Sequence, residues 1–190
     1  MPQLSVPELH RRGIESFGRR VRAVRDEQWH EPTPCEGWDV RQLVNHLAGE
    51  ALWTPPLVDG QTIADVGDRF DGDVLGDDPK ATWERAATAA AAAIEEDGAM
   101  ERTVHLSFGD FPGEFYARQL FADYLVHSWD LARAAGGDET LDADLVAACA
   151  EWFVSQEDAY RQAGVIGPPV SPAEGADTQT RLLAMFGRQA

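Results

Sequence analysis

The chain has 190 residues, 44% of them hydrophobic and 26% charged, with a formal net charge of −17. That length and composition suit one soluble globular domain with a sizeable core. A surface this acidic repels phosphate backbones, which argues against nucleic-acid binding, and no apolar run is long enough for a membrane span.

The N-terminal stretch MPQLSVPELHRRG lacks the apolar region of a secretory signal, so the expected location is the cytoplasm. Cys35 and Cys149 are accordingly expected to be reduced thiols. Ser5-Val6-Pro7-Glu8 opens a first helix with a capping box and a proline in the first turn. It should run to about Arg25, with Leu9, Ile14, Phe17, Val21 and Val24 inward; His10 reads as a surface residue, as does His30. WHEPTPCEGW, residues 29–38, is a loop broken by Pro32, Pro34 and Gly37. Asp39 and Gln42 then cap a second helix that should bury Val40, Leu43, Val44 and Leu47 and stop at Pro55-Pro56.

Residues 57–77 read as a long surface connection with few apolar anchors. Asp78-Pro79 begins a third helix through the alanine run 86–93, ending near Gly98. RTVHLSF, residues 102–108, reads as a short extended segment with a structural His105, and 109–113 as a turn. A fourth helix follows from about Glu114 to Ala135, closed by Gly136-Gly137. A fifth spans about Ala143 to Ala163, and a short helix, TQTRLLAMFG, ends the chain. Long helices with one extended insert predict an all-α, up-and-down four-helix bundle with an extra C-terminal helix.

The fourth helix is apolar nearly all round, so it should be buried. One row of it runs Tyr116, Leu120, Asp123, His127, Leu131. Asp123 and His127 interrupt that row and, four apart, can reach one point. On the second helix His46 lies near the apolar face, with Glu50 one turn later. In bundles, inward side chains on facing helices build metal sites. Two imidazoles and a carboxylate suit zinc and other divalent metals, and three protein ligands leave a position open for water or a substrate atom. The competing reading is a core histidine satisfied by Asp123 within its own helix. Glu50 could be a fourth ligand or an acid–base group, or a solvated neighbour of the site. Cys35, before a helix N-terminus, could be reactive, or a small packed residue. Asp130 could pair with Arg133 or orient a metal-bound imidazole. Trp38, Trp53 and Trp129 could wall a site or pack in the core.

TPCEGWDVRQLVNHLAGE, residues 33–50, resembles the N-terminal signature of the mycothiol-dependent maleylpyruvate isomerase family, within the DinB-like superfamily of metal-binding four-helix bundles. DYLVHSWDLARAAG, residues 123–136, resembles the second metal motif of that family. The region from EWFVSQEDAYRQAGVIGPP to RLLAMFGRQA, which includes the irregular tail and terminal helix of residues 164–190, is similar to an actinobacterial-type branch. The resemblance implies a single DinB-like domain over residues 1–190 and a metal site of His46, Asp123 and His127. The isomerase itself carries Glu at the acid position; Asp is shorter by one methylene and must approach the metal differently or leave a longer contact.

The cofactor so implied is a divalent metal, zinc first, with nickel or iron as alternatives. Mycothiol is the implied co-substrate. The expected function is a metal-dependent S-transferase or isomerase in which the metal activates a low-molecular-weight thiol toward a small electrophile. The alternative is a non-catalytic protein that binds metal or a small ligand in the same pocket. A monomer or homodimer without nucleic-acid or membrane partners is expected.

Overall fold

The computed structural model describes residues 4–190, so Met1–Gln3 of the N-terminal stretch read above lie outside the described residues. Helix α1, Val6–Ala23, begins where the Ser5 side chain accepts the Glu8 N–H, and Pro7 occupies the first turn. It ends two residues short of expectation, because Val24 is extended while its side chain stays buried. Helix α2, Val40–Val58, carries the expected capping box of Asp39 and Gln42. It does not stop at Pro55-Pro56. A proline removes an N–H and crowds the turn before it, but the chain beyond can stay helical. Here the last turn buries Leu57 and Val58, worth roughly 1.5–3 kcal/mol each, and the Asp59 N–H closes onto the Pro55 carbonyl.

The connection from 59 to 78 is better anchored than expected. A short helix α3, Ile63–Val66, is capped by Thr62, and Val66 and Leu75 are buried. Helix α4, Pro79–Glu95, is capped by Asp78 and turns Trp83, Ala86, Ala87, Ala90, Ala93 and Ile94 inward. The extended insert is a hairpin. Strand β1, Thr103–Leu106, pairs antiparallel with β2, Gly109–Pro112, so the segment 109–113 read as a turn is strand over its first four residues. The turn proper is Ser107-Phe108, and Gly109 adopts a positive φ of 141° that glycine tolerates.

Helix α5, Gly113–Ala134, starts directly after β2. Its first turn is pinned by Gly113 N–H to Arg102 O and Glu114 N–H to Met100 O. A side chain at 113 would meet the Ala99 carbonyl oxygen at 2.0 Å, so this start requires glycine. The bundle core draws on all four long helices: Phe17 and Val21 from α1, Leu43 and Leu47 from α2, Trp83 and Ile94 from α4, Leu120 and Tyr124 from α5. Phe17 meets Trp83 edge-on, and Trp83 meets Tyr124 likewise. His10 corrects the sequence reading: it is completely buried, edge-on to the Tyr124 ring.

The chain divides into two compact units, and Asp138 ends the first. The second, Glu139–Ala190, holds α6, Ala143–Phe153, α7, Glu157–Gln162, and α8, Thr178–Met185. The expected single helix over 143–163 is thus two, interrupted at Val154–Gln156. The core of this unit stacks Phe153 on Phe186 at 3.9 Å and sets Tyr160 edge-on to Phe153. No helix among the described residues is long and apolar enough to cross a membrane.

Candidate metal centre

The apolar stripe of α2 buries Leu43 and Leu47, which sets His46 at the edge of that stripe, facing α5. On α5, Asp123 and His127 lie one turn apart and meet it there. His46 Nε2 is 3.1 Å from Asp123 Oδ2, and His127 Nε2 is 3.3 Å from Asp123 Oδ1. The carboxylate thus holds one imidazole with each oxygen. The two imidazole rings lie edge to face, centroids 5.4 Å apart. The His46 and Asp123 side chains are 30% and 32% exposed, against 9% for His127. The cluster therefore opens on its His46–Asp123 side, and His127 is its most buried member.

The loop before α2 supplies a wall. Trp38 lies against both rings, 5.0 Å from the His46 centroid and stacked at 6.2 Å on His127. Of the three tryptophans considered, Trp38 is the one at this cluster; Trp129 is buried in α5, and Trp53 packs against Phe70. The loop is fixed by its own hydrogen bonds. Thr33 Oγ1 donates to Trp38 O at 2.9 Å and accepts from Cys35 N–H at 3.1 Å, while Trp38 N–H donates to Cys35 O. Gly37 takes a φ of 79°, the left-handed value that makes glycine the natural residue there.

Behind His127, the Nδ1 nitrogen lies 2.8 Å from Asp130 Oδ2, and the Cys35 thiol donates to the same oxygen at 3.3 Å. Asp130 is 0% exposed. Arg133, its expected partner, has its guanidinium over the Trp129 ring. His30, read as exposed, is so, and contacts Asp39. His105 lies on β1 against Asp110 in the hairpin.

The electrostatics follow from this crowding. Burial disfavours a charged His127, yet the Asp123 carboxylate and the hydrogen bonds that the imidazole makes to Asp123 and Asp130 hold its pKa well above the ordinary histidine value. His46 shows the same balance on a smaller scale: burial lowers its pKa, Asp123 raises it, and the net is upward. Burial would raise the Asp123 pKa, but the two imidazoles keep it far below the usual carboxylate range. Glu50, one turn beyond His46, goes the other way: burial first, then the Asp123 charge, push its carboxyl up to about 7.

These residues fit a divalent cation. Donor atoms of His46, Asp123 and His127 all lie within 4.8 Å of one another. Two ligands on one tetrahedral zinc, each about 2.0–2.1 Å away, are separated by roughly 3.3 Å, close to the 3.1 and 3.3 Å observed. A cation would also supply positive charge to the Asp123 carboxylate, whose charged form the two imidazoles favour. Glu50 is not part of that three-residue group. A second group, Cys35, His127 and Asp130, meets the same distance limit through the other nitrogen of His127.

Comparison with known proteins agrees with this architecture. Residues 10–132 match the family model described as the mycothiol maleylpyruvate isomerase N-terminal domain. Uncharacterised proteins from two strains of Mycobacterium tuberculosis are each 30% identical over 140 residues, covering 72% of this chain and 70% of theirs. Two crystal structures share the fold, one of mycothiol-dependent maleylpyruvate isomerase and one of a mutant of it. The first has a TM-score of 0.61 at 16% identity, over 83% of this chain and 73% of that one. The mutant has a TM-score of 0.60 at 17% identity, over 77% and 67%. The all-α, DinB-like bundle expected from sequence is therefore the fold observed, and the chain belongs to the mycothiol maleylpyruvate isomerase N-terminal domain family.

Proposed function

We propose that this chain is a metal-dependent enzyme of thiol chemistry, acting in the cytoplasm as an S-transferase or isomerase with mycothiol as co-substrate. The observation that carries the reading is the convergence of His46 Nε2, the Asp123 carboxylate and His127 Nε2 at an opening walled by Trp38. Three side-chain donors with one open side are the arrangement of a catalytic rather than a structural metal. A divalent cation held there, zinc foremost, lowers the pKa of a thiol reaching it, so that the thiol attacks as thiolate.

The chain's own groups do the rest. Asp123 orients both imidazoles, one with each oxygen. The Trp38 ring lies against both imidazoles and walls one side of the opening. The substrate is a small electrophile. In an isomerase the thiol adds, a bond rotates and the thiol leaves; in a transferase it stays. Maleylpyruvate is not carried over to this chain, whose likeness to the solved isomerase is one of fold.

The test is to incubate zinc-loaded protein with mycothiol and a panel of small electrophiles. Conjugation or thiol-dependent isomerisation is expected in wild type and absent in His46→Ala. Turnover that persists in His46→Ala contradicts a role for the metal. Zinc uptake without turnover on any electrophile favours a binding protein over an enzyme.

A further inference from the structure

The first site uses only one nitrogen of His127. Its other nitrogen faces Asp130 and Cys35, at 2.8 Å and 3.7 Å. Asp130 is fully buried, and a carboxylate removed from water is costly unless its lone pairs are taken up. Its Oδ2 receives two contacts at once: His127 Nδ1, and the Cys35 thiol at 3.3 Å. The 2.8 Å separation is that of a strong charge-assisted hydrogen bond. Cys35 in turn is held in its loop by the Thr33 and Trp38 hydrogen bonds.

We infer that Asp130 and Cys35 are positioning residues for His127: the buried carboxylate holds Nδ1–H, the thiol holds the carboxylate, and Nε2 is left to face Asp123 and His46. A metal-ligating histidine characteristically passes its second N–H to such a carboxylate, which fixes the tautomer and makes the ligand more basic. The thiol adds a second tie. It ties α5 to the loop that carries Trp38, so the orientation of His127 and the wall over it are set by one hydrogen-bonded unit. Taking Cys35, His127 and Asp130 as a cation site of their own is the weaker reading. There Asp130 is fully buried and its Oδ2 is already shared by His127 Nδ1 and the thiol of the partly exposed Cys35, whereas His46 and Asp123 are about a third exposed.

The inference rests on the metal reading above, and its test separates the two. Zinc affinity is measured by competition with a chromophoric chelator for wild type, Asp130→Asn, Cys35→Ala and Cys35→Ser, with metal-free melting temperatures alongside. Asp130→Asn should weaken zinc 10- to 100-fold, the usual effect of losing such a partner. Cys35→Ala should weaken it severalfold, and Cys35→Ser, which keeps a donor, should restore most of that.

A merely structural role would lower the metal-free melting temperature and leave the affinities within twofold of wild type, which would overturn the inference. Should Asp130→Asn fail to fold, the Cys35 pair decides. In the zinc-loaded wild type, proton–nitrogen correlation of the imidazoles should place the remaining His127 proton on Nδ1; a proton on Nε2 would overturn the inference alone. Wild type that takes up no zinc overturns the metal reading, and the inference with it.

Discussion

Two buried histidines, His127 on α5 and His10 on α1, sit in the same bundle with opposite surroundings. His127 is flanked by Asp123, Asp130 and Cys35, and the carboxylates hold its charged form. His10 is 0% exposed against Tyr124, and neither ring nitrogen has a hydrogen-bond partner. Burial alone pushes its pKa down from 6.5 to about 3. The same side chain is thus a charged hub in one place and a neutral filler in the other. What decides is whether an acid comes with it, not how deeply it lies.

The largest expected effect comes from His10. Between pH 6.5 and about 3 the unfolded chain protonates this residue and the folded chain does not. Stability therefore falls as pH drops through that window, by about 1.4 kcal/mol per unit. His10→Leu removes this contribution, so the loss in stability from pH 7.5 to pH 4 should be about 3 kcal/mol smaller than in wild type. Chemical denaturation at the two pH values checks it, and equal losses would show that His10 has a partner.

On the His127 side, added zinc should raise the melting temperature of wild type and leave His46→Ala and His127→Ala unmoved. At free zinc 100-fold above Kd the expected stabilisation is about 2.7 kcal/mol. Asp123→Asn should also fail to bind and should cost about 2 kcal/mol even without metal, because it takes from His46 and His127 the one carboxylate that both contact and leaves His127 with Asp130 alone. The sign of the pH dependence here is opposite to that of His10. The raised pKa of His127 contributes stability that is full below 6.5 and lost as pH rises through the folded value. The Asp123→Asn penalty should therefore be larger at pH 6 than at pH 9, and a penalty independent of pH would break the contrast.

The smallest effect concerns Glu50. Its carboxyl, raised from 4.5 to about 7, is a cost to the fold that grows as pH rises from 4.5 and is full above about 7. Glu50→Gln should stabilise by ~1–2 kcal/mol at pH 8 and by nothing at pH 4. Destabilisation at pH 8 would mean that the carboxylate has a partner there.

Much of this was legible in the sequence where the signal was local. The caps at Ser5 and Asp39, the polar breaks in the apolar row of α5, and the odd His46 on α2 are patterns within one helix. They sufficed to single out three residues that the fold brings together across 77 positions. His10 had a local signal too. Val6, His10, Gly13, Phe17 and Val21 form one buried row of α1, and the imidazole simply stood in it. The Cys35–Asp130 contact spans 95 positions and joins a loop to a helix, so no periodicity announces it. That side was legible only as far as Asp130 could be read as a residue to orient a metal-bound imidazole. The turn of α2 beyond Pro55-Pro56 was hidden for a similar reason: the burial of Leu57 and Val58, not propensity, sustains it.

The most direct measurement is X-ray absorption at the zinc edge of protein loaded with one equivalent of zinc in thiol-free buffer. The account predicts two imidazole nitrogens and oxygen near about 2.0–2.1 Å, with no sulfur shell at about 2.3 Å. A sulfur scatterer would place the cation on the Cys35 side of His127 and contradict the account, as would a protein that binds no zinc at all.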